Sequence, residues 1–262
     1  MSKERKTSNP SCSRIRMLGM AWAGSRDFVH LYLEPPGWDS SPGQFVMLRP
    51  STWGFDPLWP RPFSICEKTP EYLRLFIQVV GKGTSLLRSA APDSEIVLWG
   101  PLGKGFRIPV QHPLLILAGG MGIAPFVGMC KTHPHPERIS LLFGHRLGLE
   151  HYPLDELPGK IRKESMRQST PEDLVDFSGV LQERIRDFAP RGEILACGPM
   201  PFLRVVQRHV LESNARAQLS VETRMACGVG ACLGCVIRTR KGEMVQTCVH
   251  GPVFDARELV LQ

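Results

Sequence analysis

Four of the eight cysteines lie close together near the C-terminal end of the 262-residue sequence. The segment reads Met225-Ala-Cys227-Gly-Val-Gly-Ala-Cys232-Leu-Gly-Cys235, and the fourth thiol is Cys248. This is C-x4-C-x2-C followed by a distant fourth cysteine, the spacing of plant-type ferredoxins. It lets three thiolates of one tight loop and a fourth from elsewhere reach two adjacent irons. A [2Fe-2S] cluster held by Cys227, Cys232, Cys235 and Cys248 is therefore expected, with the fourth ligand on a separate strand. Gly228, Gly230 and Gly234 are expected to permit positive φ and aim backbone N–H groups at the sulfurs, which tunes the potential. A four-cysteine zinc site is the competing reading. Zinc modules usually present two C-x2-C pairs, and this loop has one.

Further segments are suited to anions. Leu114–Ala118 is a continuous apolar run that ends in Gly119-Gly-Met-Gly-Ile-Ala-Pro125, a strand, a glycine turn and a helix start of the kind that receives phosphate. It departs from the Rossmann pattern, because Pro125 takes the last position. Cys197-Gly198-Pro199 closes another apolar run, at the edge where parallel sheets bind ligands. Nearer the N-terminus, Arg61-Pro62-Phe63-Ser64 puts a guanidinium close to a hydroxyl, suited to a phosphate and a ring heteroatom. Gly81-Lys-Gly83-Thr84 opens a short helix with free N–H groups.

The elements that carry these segments divide the chain. Before residue 110, short alternating runs (28–33, 44–48, 73–80 and 95–99) are separated by Pro and Gly, as in a closed antiparallel barrel. Between 111 and 213, strands at 114–118, 139–144 and 193–197 alternate with helices, one from Met200 to about Ser213. That alternation is the mark of a doubly wound parallel α/β domain. From 214 to 262 the cysteine loop is followed by a hairpin around Lys241-Gly242, a small C-terminal β appendix. The fold class is thus multidomain, α/β plus β.

Composition excludes other classes. The net charge is +7, but no basic, aromatic-interleaved motif for nucleic acid accompanies it. A cluster with four thiolates and a pyrophosphate each bring about −2, so the excess suits bound anions. No apolar run approaches the roughly 20 residues of a membrane span. The first twenty residues, with Lys3, Arg5, Lys6, Arg14 and Arg16, lack the apolar stretch of a secretion signal and read as a basic tail. A cytoplasmic setting is the simplest reading, with the cysteines as ligands or free thiols. His30 and His209 read as surface or packed groups.

Taken together, the R-P-x-S, G-x-G-T, G-G-x-G-x-A-P and C-G-P motifs resemble the ferredoxin reductase superfamily. The cluster loop after the nucleotide domain and Gly251-Pro252-Val253-Phe254 beyond it are similar to the electron-transfer subunits of type B, NAD-dependent dihydroorotate dehydrogenases. The resemblance covers about residues 42–254. It implies that Arg61, Pro62, Phe63 and Ser64 contact FAD, with Arg61 toward the pyrophosphate and Ser64 toward the flavin ring. It also implies that Gly83 and Thr84 bind the pyrophosphate and that Phe76, Ile77 and Gln78 run alongside. Gly120 and Gly122 would receive NAD, with Cys197, Gly198 and Pro199 near the nicotinamide. No residue is implied as an acid or base. The implied partner is an FMN-containing catalytic subunit that oxidises dihydroorotate in pyrimidine biosynthesis, in a heterotetramer of two copies each. Phe63, Gln78 and Lys104 depart from common superfamily residues (tyrosine, arginine and asparagine). His145-Arg146 stands where ribose selectivity is often set and leaves NAD against NADP open. Similar subunits serve NADPH:ferredoxin oxidoreductases, sulfide dehydrogenases and soluble hydrogenases. A zinc-binding, nucleotide-sensing scaffold is the non-enzymatic alternative.

Overall fold

The computed structural model describes residues 10–261. Its first six strands are β1 (Ser11–Ala23), β2 (Ser25–Leu33), β3 (Phe45–Pro50), β4 (Arg61–Lys68), β5 (Leu73–Gln78) and, after helix α1 (Lys82–Arg88), β6 (Glu95–Leu102). They close into an antiparallel barrel in the order β1-β2-β5-β4-β3-β6. Alternation decides what fills it. Ile15, Met17, Val46, Leu48, Leu75 and Ile77 point inward, and Leu87 of α1 plugs the interior. The expected basic tail is corrected here from Ser11 onward, because β1 alternates. Arg14 and Arg16 stand outside, paired with Glu95 and Glu34, while Ile15 and Met17 are buried. Residues 1–9 lie outside the described residues.

The α/β part comprises β7 (Leu114–Gly119), α2 (Ala124–Thr132), β8 (Ile139–His145), β9 (Arg162–Arg167), α3 (Pro171–Phe188), β10 (Glu193–Cys197), α4 (Met200–Glu212) and β11 (Ala217–Ser220). Alternate residues of β7 serve two cores. Leu114, Ile116 and Ala118 face α2 and the barrel's Phe28 and Phe76. Leu115 and Leu117 face α3 and α4 through Phe177, Leu181, Leu203 and Val206. A strand buried on both faces explains the unbroken apolar run. Thr170 caps α3, its hydroxyl accepting from the Asp173 N–H while the Asp173 carboxylate accepts from Thr170 N–H, a reciprocal box.

After β11 the chain leaves the sheet, forms the cysteine loop, β12 (Val236–Arg238), β13 (Met244–Gln246) and the one-turn helix α5 (Thr247–His250), and returns as β14 (Val253–Asp255). The sheet order is β14-β11-β10-β7-β8-β9, with β14 antiparallel to β11. Strands flanking the cysteine loop therefore form an edge of the α/β sheet, and the loop is an insertion within it. Cys248 lies on α5, a correction to its expected place on a strand.

Candidate functional site

The cysteine loop is shaped by left-handed residues. Gly228 and Gly230 take φ of 72° and 82°, and the next such residue is Leu233 at 56° rather than the expected Gly234. The turns swing N–H groups onto sulfur. Cys227 Sγ accepts from Val229 at 3.5 Å and Cys232 at 3.4 Å, and Cys248 Sγ from Gly230 at 3.2 Å. The thiols associate as two pairs, Cys227 with Cys232 and Cys235 with Cys248. Among the described residues, no three His, Cys, Asp or Glu side chains converge closely enough to hold a single metal ion. Burial pushes the Cys227 thiol up, but the N–H groups of Cys232, Val229 and Ala231 outweigh it and bring it to about 7. Burial, followed by the neighbouring Cys235, pushes Cys248 up to about 12. Four thiols in two pairs, with amides already directed at sulfur, fit a two-iron cluster, which takes two thiolates per iron.

The loop is docked on the barrel. Phe45, Met47 and Leu102 enclose Cys235 and Cys248 in one apolar cluster with Trp99 and Met225 at its margin. Trp99 Nε1 donates to the Cys227 carbonyl at 3.3 Å. A Cβ on Gly228 would collide with Met47. At the loop's far end Lys104 N–H donates to Gly251 O at 2.6 Å. Gly251-Pro252-Val253 is thus the joint where barrel, loop and sheet meet.

β4 carries the expected flavin residues beside this dock. Ser64 pairs with Phe45 and Pro62 with Met47, on the cysteine-loop side of the barrel. Phe63 pairs with Val46 and packs against the barrel core. Arg61 Nη1 donates to Trp59 O at 2.9 Å and Pro60 O at 3.3 Å. A Cβ on Gly83 would meet Arg61 Nε at 2.7 Å, so this glycine lets the guanidinium lie across the turn. Thr84 Oγ1 accepts from Val80 N at 3.0 Å and Gly81 N at 3.2 Å. That hydroxyl is taken up by the turn itself, so Arg61 and the turn's backbone are the groups here that could hold a phosphate. On β5, Ile77 points into the barrel core, and Phe76 lies in the seam with its ring 4.7 Å from His30. Burial, then the charge of Arg74, lowers His30 to about 4.

The glycine turn after β7 packs against the end of β10, where Ala118 pairs with Cys197. Gly122 touches the Cys197 carbonyl so closely that a Cβ there has no room, and a Cβ on Gly119 would meet Pro199 at 3.2 Å. Gly120 takes a φ of 51° with open space around it. Cys197 is buried with Ser220 as neighbour, and burial pushes its thiol up to about 12. Gly198 is buried too, leaving Pro199 exposed. Gly120 and Pro199 thus offer surface to a ligand, whereas Gly122 and the Cys197 sulfur are packing groups. His145 turns inward, with its Nδ1 2.6 Å from Leu147 O.

Two features carry no signal in the sequence. Trp99 reads only as part of a strand, and nothing near it indicates that its indole anchors the cysteine loop. Arg74 is buried and donates to Glu156 at 2.9 and 2.8 Å, while Lys131 donates to Glu156 and Glu67 at 2.8 and 3.2 Å. This network ties β4 and β5 to α2. It joins Glu67 and Arg74 to Lys131 and Glu156, more than fifty residues further along the chain and beyond the reach of a local pattern.

The family described as the iron-sulfur cluster binding domain of dihydroorotate dehydrogenase B matches residues 222–260. The dihydroorotate dehydrogenase B (NAD(+)) electron transfer subunit of Clostridium acetobutylicum is 31% identical over 84% of this chain and 86% of its own length. The chain belongs to that family. Among solved structures, an NADH-dependent reduced ferredoxin-NADP oxidoreductase superposes with a TM-score of 0.77 at 22% identity, over 94% of this chain and 90% of its own. A ferredoxin NADP+ reductase of Neisseria gonorrhoeae with bound FAD and NADP gives 0.61 at 17%, over 77% and 91%. These two share the fold. In this member of the electron transfer subunit family, the matched segment 222–260 includes β14 as well as the cysteine loop.

Proposed function

We propose that this chain is the electron-transfer half of an NAD-linked dihydroorotate dehydrogenase. It would take electrons from an FMN-containing catalytic subunit at the cysteine loop and deliver them to NAD at the sheet. The barrel, to about residue 110, holds FAD; the sheet, from 111 and including β11 and β14, holds NAD; the insertion between those strands holds the [2Fe-2S] cluster. The observation that carries this reading is adjacency. Phe45 and Met47 of β3 pack on the cysteine loop, and the next strand places Ser64 and Pro62 opposite them. Paired strands run about 4.8 Å apart, so a flavin on β4 and a cluster in the loop are separated by little more than one strand.

Bound there, FAD supplies the exchange between the hydride of a nicotinamide and the single electrons of a cluster. The chain's own residues position and exclude. Cys227, Cys232, Cys235 and Cys248 are the ligands, and the amides of Val229, Gly230 and Cys232 lower the charge on sulfur. Arg61 and the Gly83 turn hold the pyrophosphate, with Thr84 shaping that turn. Ser64 faces the ring, Phe63 anchors β4 to the core, and Phe76 and Gln78 flank the cofactor while Ile77 keeps β5 in register. Gly120 and Pro199 border the nicotinamide, and Gly122, Gly198 and Cys197 fix that border. Half-exposed Cys227 and exposed Cys232 leave the loop open to a partner. No helix among the described residues is long and apolar enough to cross a membrane; a cytoplasmic setting suits free thiols.

An anaerobic visible spectrum of the chain purified with its partner tests this. Dihydroorotate should bleach flavin and cluster bands together. Bands that respond to NADH and ignore dihydroorotate would assign the chain to a sister oxidoreductase. Colourless, fully assembled protein would remove the cofactor assignment.

A further inference from the structure

Two residues of β4 set the direction of the dinucleotide, on the flavin reading proposed above. The ring lies at Ser64 and the pyrophosphate at Arg61, three residues or roughly 10 Å back along the strand. Continuing the same way leads onto residues 53–60, the segment joining β3 to β4. It carries Phe55, 92% exposed, and Trp59 and Leu58, about half exposed.

This segment is held, not loose. Arg49 donates to Leu58 O at 3.0 Å and Gly54 O at 2.7 Å, and also to Trp53 O. Arg61 secures Trp59 O and Pro60 O and lies 6.0 Å over the Trp53 ring. Asp56 pairs with Lys82, next to Gly83 of the phosphate turn. One guanidinium, Arg61, thus touches both the phosphate turn and the aromatic segment.

We propose that Trp59 and Phe55 form the adenine seat of FAD, stacking on the base while Arg61 and the Gly83 turn hold the phosphates. Adenine is neutral, flat and apolar on both faces, and aromatic side chains stack on such bases without needing hydrogen bonds. An anchored loop with rings turned to solvent matches that chemistry, and the Lys82–Asp56 pair couples it to the turn beneath.

The test is a fluorescence titration of the full chain, cluster loaded, with FAD and separately with FMN, which lacks the adenosine. Trp59→Ala and Phe55→Ala should each raise the Kd for FAD about tenfold, the scale of one base–aromatic stack, and leave the Kd for FMN unchanged. Trp59→Phe should recover most of the loss. Equal weakening of FAD and FMN would overturn the proposal, since the loop would then merely support Arg61. Unchanged FAD affinity with loss of the co-purifying catalytic subunit would also overturn it and assign the rings to the subunit interface. Failure of the flavin reading itself is separate and shows first, as an unsubstituted chain that binds neither flavin.

Discussion

The cysteine loop and the glycine turn after β7 both read as glycine-rich ligand loops, and they use glycine for different ends. In the cysteine loop, Gly228 and Gly230 adopt left-handed backbone that directs N–H groups at sulfur. In the glycine turn after β7, Gly122 is present because the Cys197 carbonyl lies where its Cβ would be. The first is a demand of the ligand and the second a demand of packing. A glycine motif therefore carries chemistry only where its amides have a target, and spacing alone does not distinguish the two cases.

The sharpest way to break this contrast is to remove a ligand. Cys235→Ala should abolish the cluster and leave FAD bound, read as loss of iron and acid-labile sulfide with the flavin spectrum retained. Loss of both cofactors together would mean that the loop supports the barrel rather than resting on it. Next, Gly122→Ala should act through packing, costing about 1–3 kcal/mol. For a chain of this size that lowers Tm by several degrees, while iron content stays full. A normal Tm with impaired NADH reduction would instead return Gly122 to direct nucleotide contact.

Cys197→Ala sharpens the same point at lower cost. With its sulfur buried beside Ser220, the change should destabilise by about 1 kcal/mol and leave the kcat of flavin reduction by NADH within about twofold. A large fall in kcat with an unchanged Tm would show the thiol acting at the nicotinamide.

A pH-dependent effect concerns the seam between the barrel and the α/β part, where Phe76 packs. His30 stacks on Phe76 and is held neutral, at about 4 against an ordinary 6.5. Between those values the unfolded chain binds the extra proton, so stability should rise with pH from about 4 to 6.5, by at most about 1.4 kcal/mol per unit. Denaturant titrations of the wild type and His30→Phe over that range should differ in slope. Parallel curves would show a wet seam.

Much of this organisation is legible in residue order. The C-x4-C-x2-C spacing points to three of the four expected ligands because thiolate geometry on two irons is largely a local constraint, and Cys227, Cys232 and Cys235 fall within nine residues of one loop. The apolar run of β7 declares a strand buried on both faces, and the Pro- and Gly-punctuated runs before residue 110 declare a barrel. The sequence obscured β1, whose arginines look like a tail until alternate Ile15 and Met17 are seen inside the barrel. It also obscured the insertion of the cysteine loop within the sheet, because β11 and β14, the last two strands at one end of it, are only four and three residues long.

Sequence by itself determined which atoms can bind metal and where the chain must turn, since bond geometry and side-chain chemistry act within a few residues. Tertiary structure decided that Met47 and Trp99 receive the cysteine loop, that Ile77 faces inward and Gln78 does not, and that Gly122 serves Cys197. Those outcomes depend on which distant surfaces meet, and burial of apolar area, which settles it, is a property of the whole fold.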